Sequence, residues 1–263
     1  MKHPDSDLLG VANNLADAAR RAILPYFRQT DLVTDNKDAG GFDPVTEADR
    51  AGEQAMRSVL ADKRPNDGIW GEEYGQSTGS SGLTWVLDPI DGTRGFISGT
   101  PTWGVLIALS DANGPRLGVI DQPYIGERFV GGAGKSYVDG PQGRRLLETR
   151  PFRPLDQSTV FTTFPEVGSL ADRTGFEAVA QHANLVRYGM DCYAYALLAA
   201  GQIDLVIEAD LNAYDIQGPI GVIEAAGGIV TNWQGGPAHQ GGRAVAAANP
   251  EILSKAIDIL RHH

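Results

Sequence analysis

The chain offers almost nothing for cross-linking. Cys192 is its single cysteine, so neither an intrachain disulfide nor a cysteine metal cluster is available, and a reducing, cytoplasmic setting is expected. No apolar run approaches the ~20 residues of a membrane span. The opening "MKHPDSDLLG" has early acids where a secretory leader would carry an apolar stretch, so no signal peptide is predicted. Histidines at 3, 182, 239, 262 and 263 lack zinc-ligand spacing. "GGAGKS" at 131–136 has Phe129 where a Walker A loop needs its first glycine. Positive charge is also short: 22 Lys and Arg against 33 Asp and Glu give a net −11. That balance excludes broad nucleic-acid or anionic-membrane binding. It leaves room for an anionic small substrate, because bound cations reverse a local field.

What is present is ordinary for a soluble globular chain: 42% hydrophobic and 21% charged residues over 263 positions, enough for one large domain or two moderate ones. The 33 glycines and 15 prolines predict frequent turns rather than a helical bundle. Apolar residues from Leu8 to Ile23 recur at helical spacing and predict a first helix ending near Phe27. Residues 31–44 are polar and aperiodic and read as a mobile loop. Thr46 with an acid three residues on predicts a capped second helix to about Ala61. Strands are predicted at 85–87, 103–109, 117–121, 127–130 and 159–163. From about 169, helices (170–182, 191–200, 215–226, 250–261) alternate with strands (185–188, 203–208, 228–232, 244–248). The pattern is α+β first and α/β later. The Pro-rich "TRPFRPLDQ" at 149–157 marks a seam between domains 1–150 and 151–263.

The most informative stretch is "WVLDPIDGT" at 85–93. Pro89 is expected to stop the strand ladder and Gly92 to permit a turn, so Asp88 and Asp91 converge beyond a strand end with the Ile90 carbonyl between them. Oxygen donors of this kind suit Mg²⁺. The Gly92 and Thr93 amides would then face a phosphate oxygen. A plain strand followed by an Asp-Gly turn accounts for the same letters. Glu72 and Glu73 read equally as a solvated turn. Asp215, Thr46 and Asp49 read equally as helix caps.

Taken together and in order, "PVTEADR", "GEE", "WVLDPIDGT" and a late "YD" before "GVIEAAGG" resemble the inositol monophosphatase family of Mg²⁺-dependent, lithium-sensitive phosphatases over nearly the whole chain. Arg94-Gly95-Phe96 after the Asp-Gly-Thr, together with "GMDCYAYALLAAGQIDLVIEADLNAYDI", is most similar to the bacterial histidinol-phosphate phosphatase branch. Inositol-specific members usually carry Thr-Asn-Phe there, and nucleotide phosphatases Lys-Glu-Phe.

The resemblance implies a layered αβαβα sandwich of the sugar-phosphatase type, with most metal ligands in 1–150 and with Asp215 and substrate contacts supplied by 151–263. It implies a first ion on Glu72, Asp88 and the Ile90 carbonyl, and a second on Asp88, Asp91 and Asp215. A third rests on Glu72 and waters. Mn²⁺ would substitute, and Ca²⁺ and Li⁺ would inhibit. Asp49 and Thr93 match the pair that orients and deprotonates the attacking water. Glu208 and Asp191 would face the organic part of the substrate, with Arg187 against substrate or a neighbouring subunit and Lys37 near the phosphate. Salt bridging accounts equally for Asp191, Glu208 and Arg187, and simple solvation for Lys37. The implied activity is hydrolysis of L-histidinol phosphate in histidine biosynthesis by a cytoplasmic homodimer. The alternatives are inositol phosphate, another sugar phosphate or a 3′-phosphonucleotide, and a non-catalytic regulatory member. Two departures stand out: Tyr214 where tryptophan is usual, and Gly218-Pro219 where small alanine-like residues are common.

Overall fold

The computed structural model describes residues 5–29, 34–36, 44–164, 166 and 168–263. Helix α1 (Asp5–Ile23) buries Leu8, Val11, Ala12, Leu15, Ala19 and Ile23 along one stripe, as its 3.6-residue period requires. It ends earlier than expected, because Pro25 tightens Leu24–Tyr26 into a 3₁₀ turn. Most of 31–44, including Lys37, lies outside the described residues. Its described ends are not loop: β1 (Thr34–Asn36) and β2 (Pro44–Thr46) pair as an antiparallel ribbon. Helix α2 (Glu47–Lys63) then starts on the predicted Thr46 cap.

An eight-stranded mixed sheet follows. Its strands are β3 (Gly68–Gly71), β4 (Gly75–Ser77), β5 (Thr84–Asp91), β6 (Gly104–Asp111), β7 (Gly114–Gln122), β8 (Glu127–Gly132), β9 (Lys135–Gly140) and β10 (Gly143–Leu146), in the order β10-β9-β8-β7-β6-β5-β3-β4. A short helix, α3 (Thr93–Ile97), leaves β5. Sequence reading misses β3, β4, β9 and β10, which are short and rich in glycine or polar residues. The "GGAGKS" stretch is the tight turn between β8 and β9, with Ala133 and Gly134 both at positive φ (52° and 70°).

The remaining chain builds β11 (Thr159–Thr162), α4 (Leu170–Ala180), β12 (Leu185–Tyr188), α5 (Asp191–Ala199), β13 (Leu205–Leu211), α6 (Ala213–Ala225), β14 (Ile229–Thr231), β15 (Gly242–Ala247) and α7 (Pro250–Leu260). Its five strands order as β12-β11-β13-β15-β14, with β11 parallel to both β12 and β13. No described helix is long and apolar enough to cross a membrane.

Five layers result. α1 and α2 cover one face of the large sheet, α5 and α6 fill the space between sheets, and α4 and α7 cover the far face of the small one. The pleat assigns side chains to layers. Along β6, Val105, Ile107 and Leu109 join the α1–α2 core while Leu106 joins the α5–α6 core. Along β13, Val206 faces α5 and α6 while Leu205 and Ile207 face α4 and α7. Strands buried on both faces carry continuous apolar runs, which is why "GVLIAL" is visible in sequence.

Helix α6 lies against β7 and β8 at backbone distance. A Cβ on Gly118 would collide with the Gly218 carbonyl oxygen, and one on Gly131 with the Gly221 carbonyl oxygen. Gly218-Pro219, a departure at the sequence level, is therefore the surface on which the helix seats. We expect Gly118→Ala to lower stability by about 1–3 kcal/mol, since the clash is with main chain that cannot rotate away. The check is a lower urea midpoint at unchanged m.

Candidate active site

Asp88 and Asp91 are three residues apart, and on a regular strand they would point to opposite faces. The register shows why they do not. Asp88 pairs with Leu106 and Asp91 with Gly104, so β5 spends three steps where β6 spends two. This is a β-bulge at Pro89-Ile90, and the extra residue returns Asp91 to the side of Asp88. The ladder is therefore not stopped at Pro89, as the sequence suggests, but resumes through Asp91. Asp88 is buried, and its Oδ1 accepts the Ile90 N–H at 3.0 Å. Gly92, at φ 83°, turns the chain into α3 as expected, placing Thr93 at that helix's first position.

Asp215 arrives from the other half of the chain. Asp88, Asp91 and Asp215 each offer a carboxylate oxygen within 4.8 Å of the other two. Asp215 is not the first capping residue of α6: the helix begins at Ala213, and Asp215 is its third residue, with Oδ2 accepting the Asn212 N–H at 2.6 Å. Asp49 occupies the same position of α2. Its Oδ2 accepts the Thr46 N–H at 2.8 Å and the Thr46 hydroxyl at 2.6 Å, while its Oδ1 faces the Thr93 hydroxyl at 3.4 Å. The Thr93 hydroxyl also reaches the Ile90 carbonyl at 3.0 Å, the shorter contact. The cap and the Thr93 contact thus use different oxygens of one carboxylate.

Glu72 follows β3 directly, and its N–H donates to the Leu87 carbonyl at 3.1 Å, which sets it beside Asp88. Burial pushes the Asp88 carboxyl well above the usual carboxylate range, and the nearby charges of Glu72, Asp91 and Asp215 push it further. Asp91 is raised to about 7, chiefly by burial and then by Asp191.

Asp191 opens α5 in a left-handed conformation (φ 46°), and the next N–H, from Cys192, donates to Asp91 Oδ2 at 2.6 Å. The Asp191 carboxylate accepts the Thr102 hydroxyl at 3.0 Å. It lies where a Cβ on Gly92 or Gly95 would sit, 2.7 Å and 3.1 Å from its atoms. Burial raises its pKa, with Thr102 and Arg94 opposing. The Arg94-Gly95-Phe96 stretch is now intelligible. Arg94 balances Asp191, Gly95 makes room for it, and Phe96 anchors α3 among Phe27 and Trp103 at ring distances of 5.3 and 4.9 Å.

Glu208 is buried on β13 and held by the Thr163 N–H (2.6 Å), the Thr163 hydroxyl (2.8 Å) and the Thr162 hydroxyl (3.0 Å). Burial still lifts its carboxyl to about 7. Arg187 is exposed on the edge strand β12 and makes no ion pair among the described residues. Tyr214 is half-buried beside Asp215. Thr102, Thr162, Thr163 and the Cys192 amide were not singled out from sequence, and only tertiary structure brings them to their acids.

A model of the inositol monophosphatase family matches residues 5–263. The chain belongs to that family. Membership makes it a phosphatase, a phosphoric monoester hydrolase. It is 39% identical to a chloroplastic bifunctional phosphatase of Arabidopsis thaliana, over 96% of this chain and 75% of that one. It is 34% identical to a histidinol-phosphatase of Mycobacterium tuberculosis, over 97% and 98% of the two chains. A solved inositol monophosphatase from Zymomonas mobilis superposes with a TM-score of 0.87 at 36% identity, covering 99% and 100%. The layered sandwich is the fold of this family.

The cluster fits a hard divalent cation. Its donors are carboxylate oxygens, and their mutual repulsion calls for positive charge. A pH dependence follows. The Asp91 carboxyl, near 3.8 when unperturbed, is held at about 7 in the fold, so between these values the folded state binds more protons. Its contribution is fully present below the lower value and is lost as pH rises through the upper one. We expect metal-free protein to lose thermal stability across this window, and Asp91→Asn to flatten the slope. At the alkaline end, Mg²⁺ should raise the melting temperature of the wild type and not of Asp91→Asn, as read by calorimetry.

Proposed function

We propose that the protein is a Mg²⁺-dependent phosphatase acting on L-histidinol phosphate, releasing L-histidinol and inorganic phosphate. The observation that carries the substrate is the pair Asp191 and Glu208. Glu208 is buried and Asp191 half-buried, both are hydrogen-bonded, and the Asp191 charge helps to raise the Glu208 carboxyl beside a phosphatase site. Carboxylates there gain from an ammonium and an imidazole, and gain little from a neutral polyol. Similarity to histidinol-phosphatases along the full length supports the same reading.

In this reading Glu72, Asp88 and the Ile90 carbonyl would hold one ion, and Asp88, Asp91 and Asp215 would hold a second. When bound, Mg²⁺ supplies charge that offsets the phosphoryl oxygens and acidifies water. The chain's own part is positioning. Thr46 and the first turn of α2 fix Asp49, so Asp49 Oδ1 stands ready for the Thr93 proton. Turning the Thr93 hydroxyl from the Ile90 carbonyl to Asp49 Oδ1 leaves a lone pair to take a proton from the attacking water. The Gly92-Thr93 turn at the start of α3 presents amides to the phosphate.

A second reading, inositol phosphate hydrolysis, draws on the likeness to the Zymomonas mobilis enzyme. Phosphate release from histidinol phosphate, inositol 1-phosphate and a 3′-phosphonucleotide, with and without Mg²⁺, separates the two. We expect Mg²⁺-dependent turnover with kcat/KM at least about tenfold higher on histidinol phosphate, some 1.4 kcal/mol of discrimination. Turnover of another ester with none of histidinol phosphate overturns the assignment. Asp191→Asn and Glu208→Gln should each cost about 2 kcal/mol or more in kcat/KM on histidinol phosphate, the scale of a buried charge contact. Both should leave hydrolysis of glycerol 2-phosphate, which has no amine, much less affected.

A further inference from the structure

Helix α2 carries a second buried acid that no site role explains. Glu53 lies one turn after Asp49 and is wholly buried. It does not face the trio of aspartates but the turn that bears Glu72. Its Oε2 accepts the Glu73 N–H at 2.6 Å and its Oε1 the Tyr74 N–H at 3.2 Å. Arg57, one further turn along, donates to Glu53 Oε1 at 2.7 Å and to the Gly75 carbonyl at 2.5 Å, with its guanidinium 5.9 Å from the centre of the Tyr74 ring. The Gly71 backbone passes so close that a Cβ there would collide with the Glu53 carboxylate.

We propose that Glu53 is a positioning residue that holds Glu72 at the cation site by capping the amides of the turn that follows it. This rests on the reading of Glu72 as an ion ligand. Three facts make the restraint necessary. Glu72 stands in a crowded acidic site, close enough to Asp88 and Asp91 to act on both carboxyls. The β3–β4 connection is only the three residues 72–74, where the Glu72 N–H still bonds to the Leu87 carbonyl of β5 and the next two amides turn away from the sheet and need another acceptor. And β4 is a fully exposed edge strand, which contributes little packing of its own. Glu53 supplies what the strand does not, a buried double acceptor fixed to a helix. Asp49, Glu53 and Arg57 occupy one stripe at four-residue intervals, so the same helix face spaces the Thr93–Asp49 pair from Glu72.

Titration calorimetry of Mg²⁺ into the metal-free protein tests this without recourse to turnover. Glu72→Gln and Glu53→Gln should each weaken Mg²⁺ binding by about 10–100-fold, the usual effect of losing a ligand's outer partner. Gly71→Ala, which keeps the Glu53 carboxylate but displaces it, should reproduce Glu53→Gln. The Glu53→Gln/Glu72→Gln double variant should bind within about twofold of Glu72→Gln alone, because both act through one ligand. Wild-type affinity in Glu53→Gln and Gly71→Ala, with Glu72→Gln weakened, overturns the inference and leaves the ion site standing. Losses that multiply in the double variant overturn it too. Wild-type affinity in Glu72→Gln removes the ligand reading itself. Should Glu53→Gln fail to give a cooperative melt, Gly71→Ala decides the matter.

Discussion

Repulsion between carboxylates confined to one small space is the constraint from which the rest of the site is built. Asp88 is buried among three other acids, and burial and neighbouring charge both oppose its ionisation. A fold that gathers such groups needs proton or cation to offset them, and rigid restraints to stop them turning away. Each acid has its restraint. The bulge and the Ile90 amide hold Asp88, the Cys192 amide holds Asp91, and the Asn212 amide holds Asp215. All three restraints are backbone N–H groups, which rotate only if the secondary structure does.

Two of the site acids solve the problem in the same manner. Asp49 and Asp215 both stand third in their helices and spend one oxygen on the amide preceding the helix. The arrangement is an ordinary capping device, which anchors the side chain and stabilises the first turn together. It also explains why such residues are ambiguous when read singly. In the folded molecule capping does not keep either acid from further contacts: Asp49 also faces Thr93, and Asp215 also meets Asp88 and Asp91.

The sequence made the layered fold legible where strands are buried on both faces, as in "GVLIAL", and where helices carry a single apolar stripe, as from Leu8 to Ile23. It was silent on β3, β4, β9 and β10, whose stability comes from neighbours rather than from their own residues. The acids of "WVLDPIDGT" were found, but the reason they converge was misread. A bulge is a mismatch between two strands and is written in neither alone. Asp191 and Glu208 were visible as letters, whereas Thr102, Thr162 and Thr163 are meaningful only as their partners. Gly118 lies in a predicted strand and Gly218 in a predicted helix, and neither position alone tells that α6 and β7 meet there backbone to backbone.

That contact has a bearing on how the protein comes into being. Asp215 is brought to Asp88 and Asp91 by a helix seated on the large sheet, although more than a hundred residues separate them in sequence. A nascent chain that has emerged only as far as β10 carries the residues of the bulge, of α2 and of the turn at Glu72, yet still lacks an acid that completes the cluster. In the order of synthesis, the aspartate cluster therefore stays incomplete until α6 has emerged.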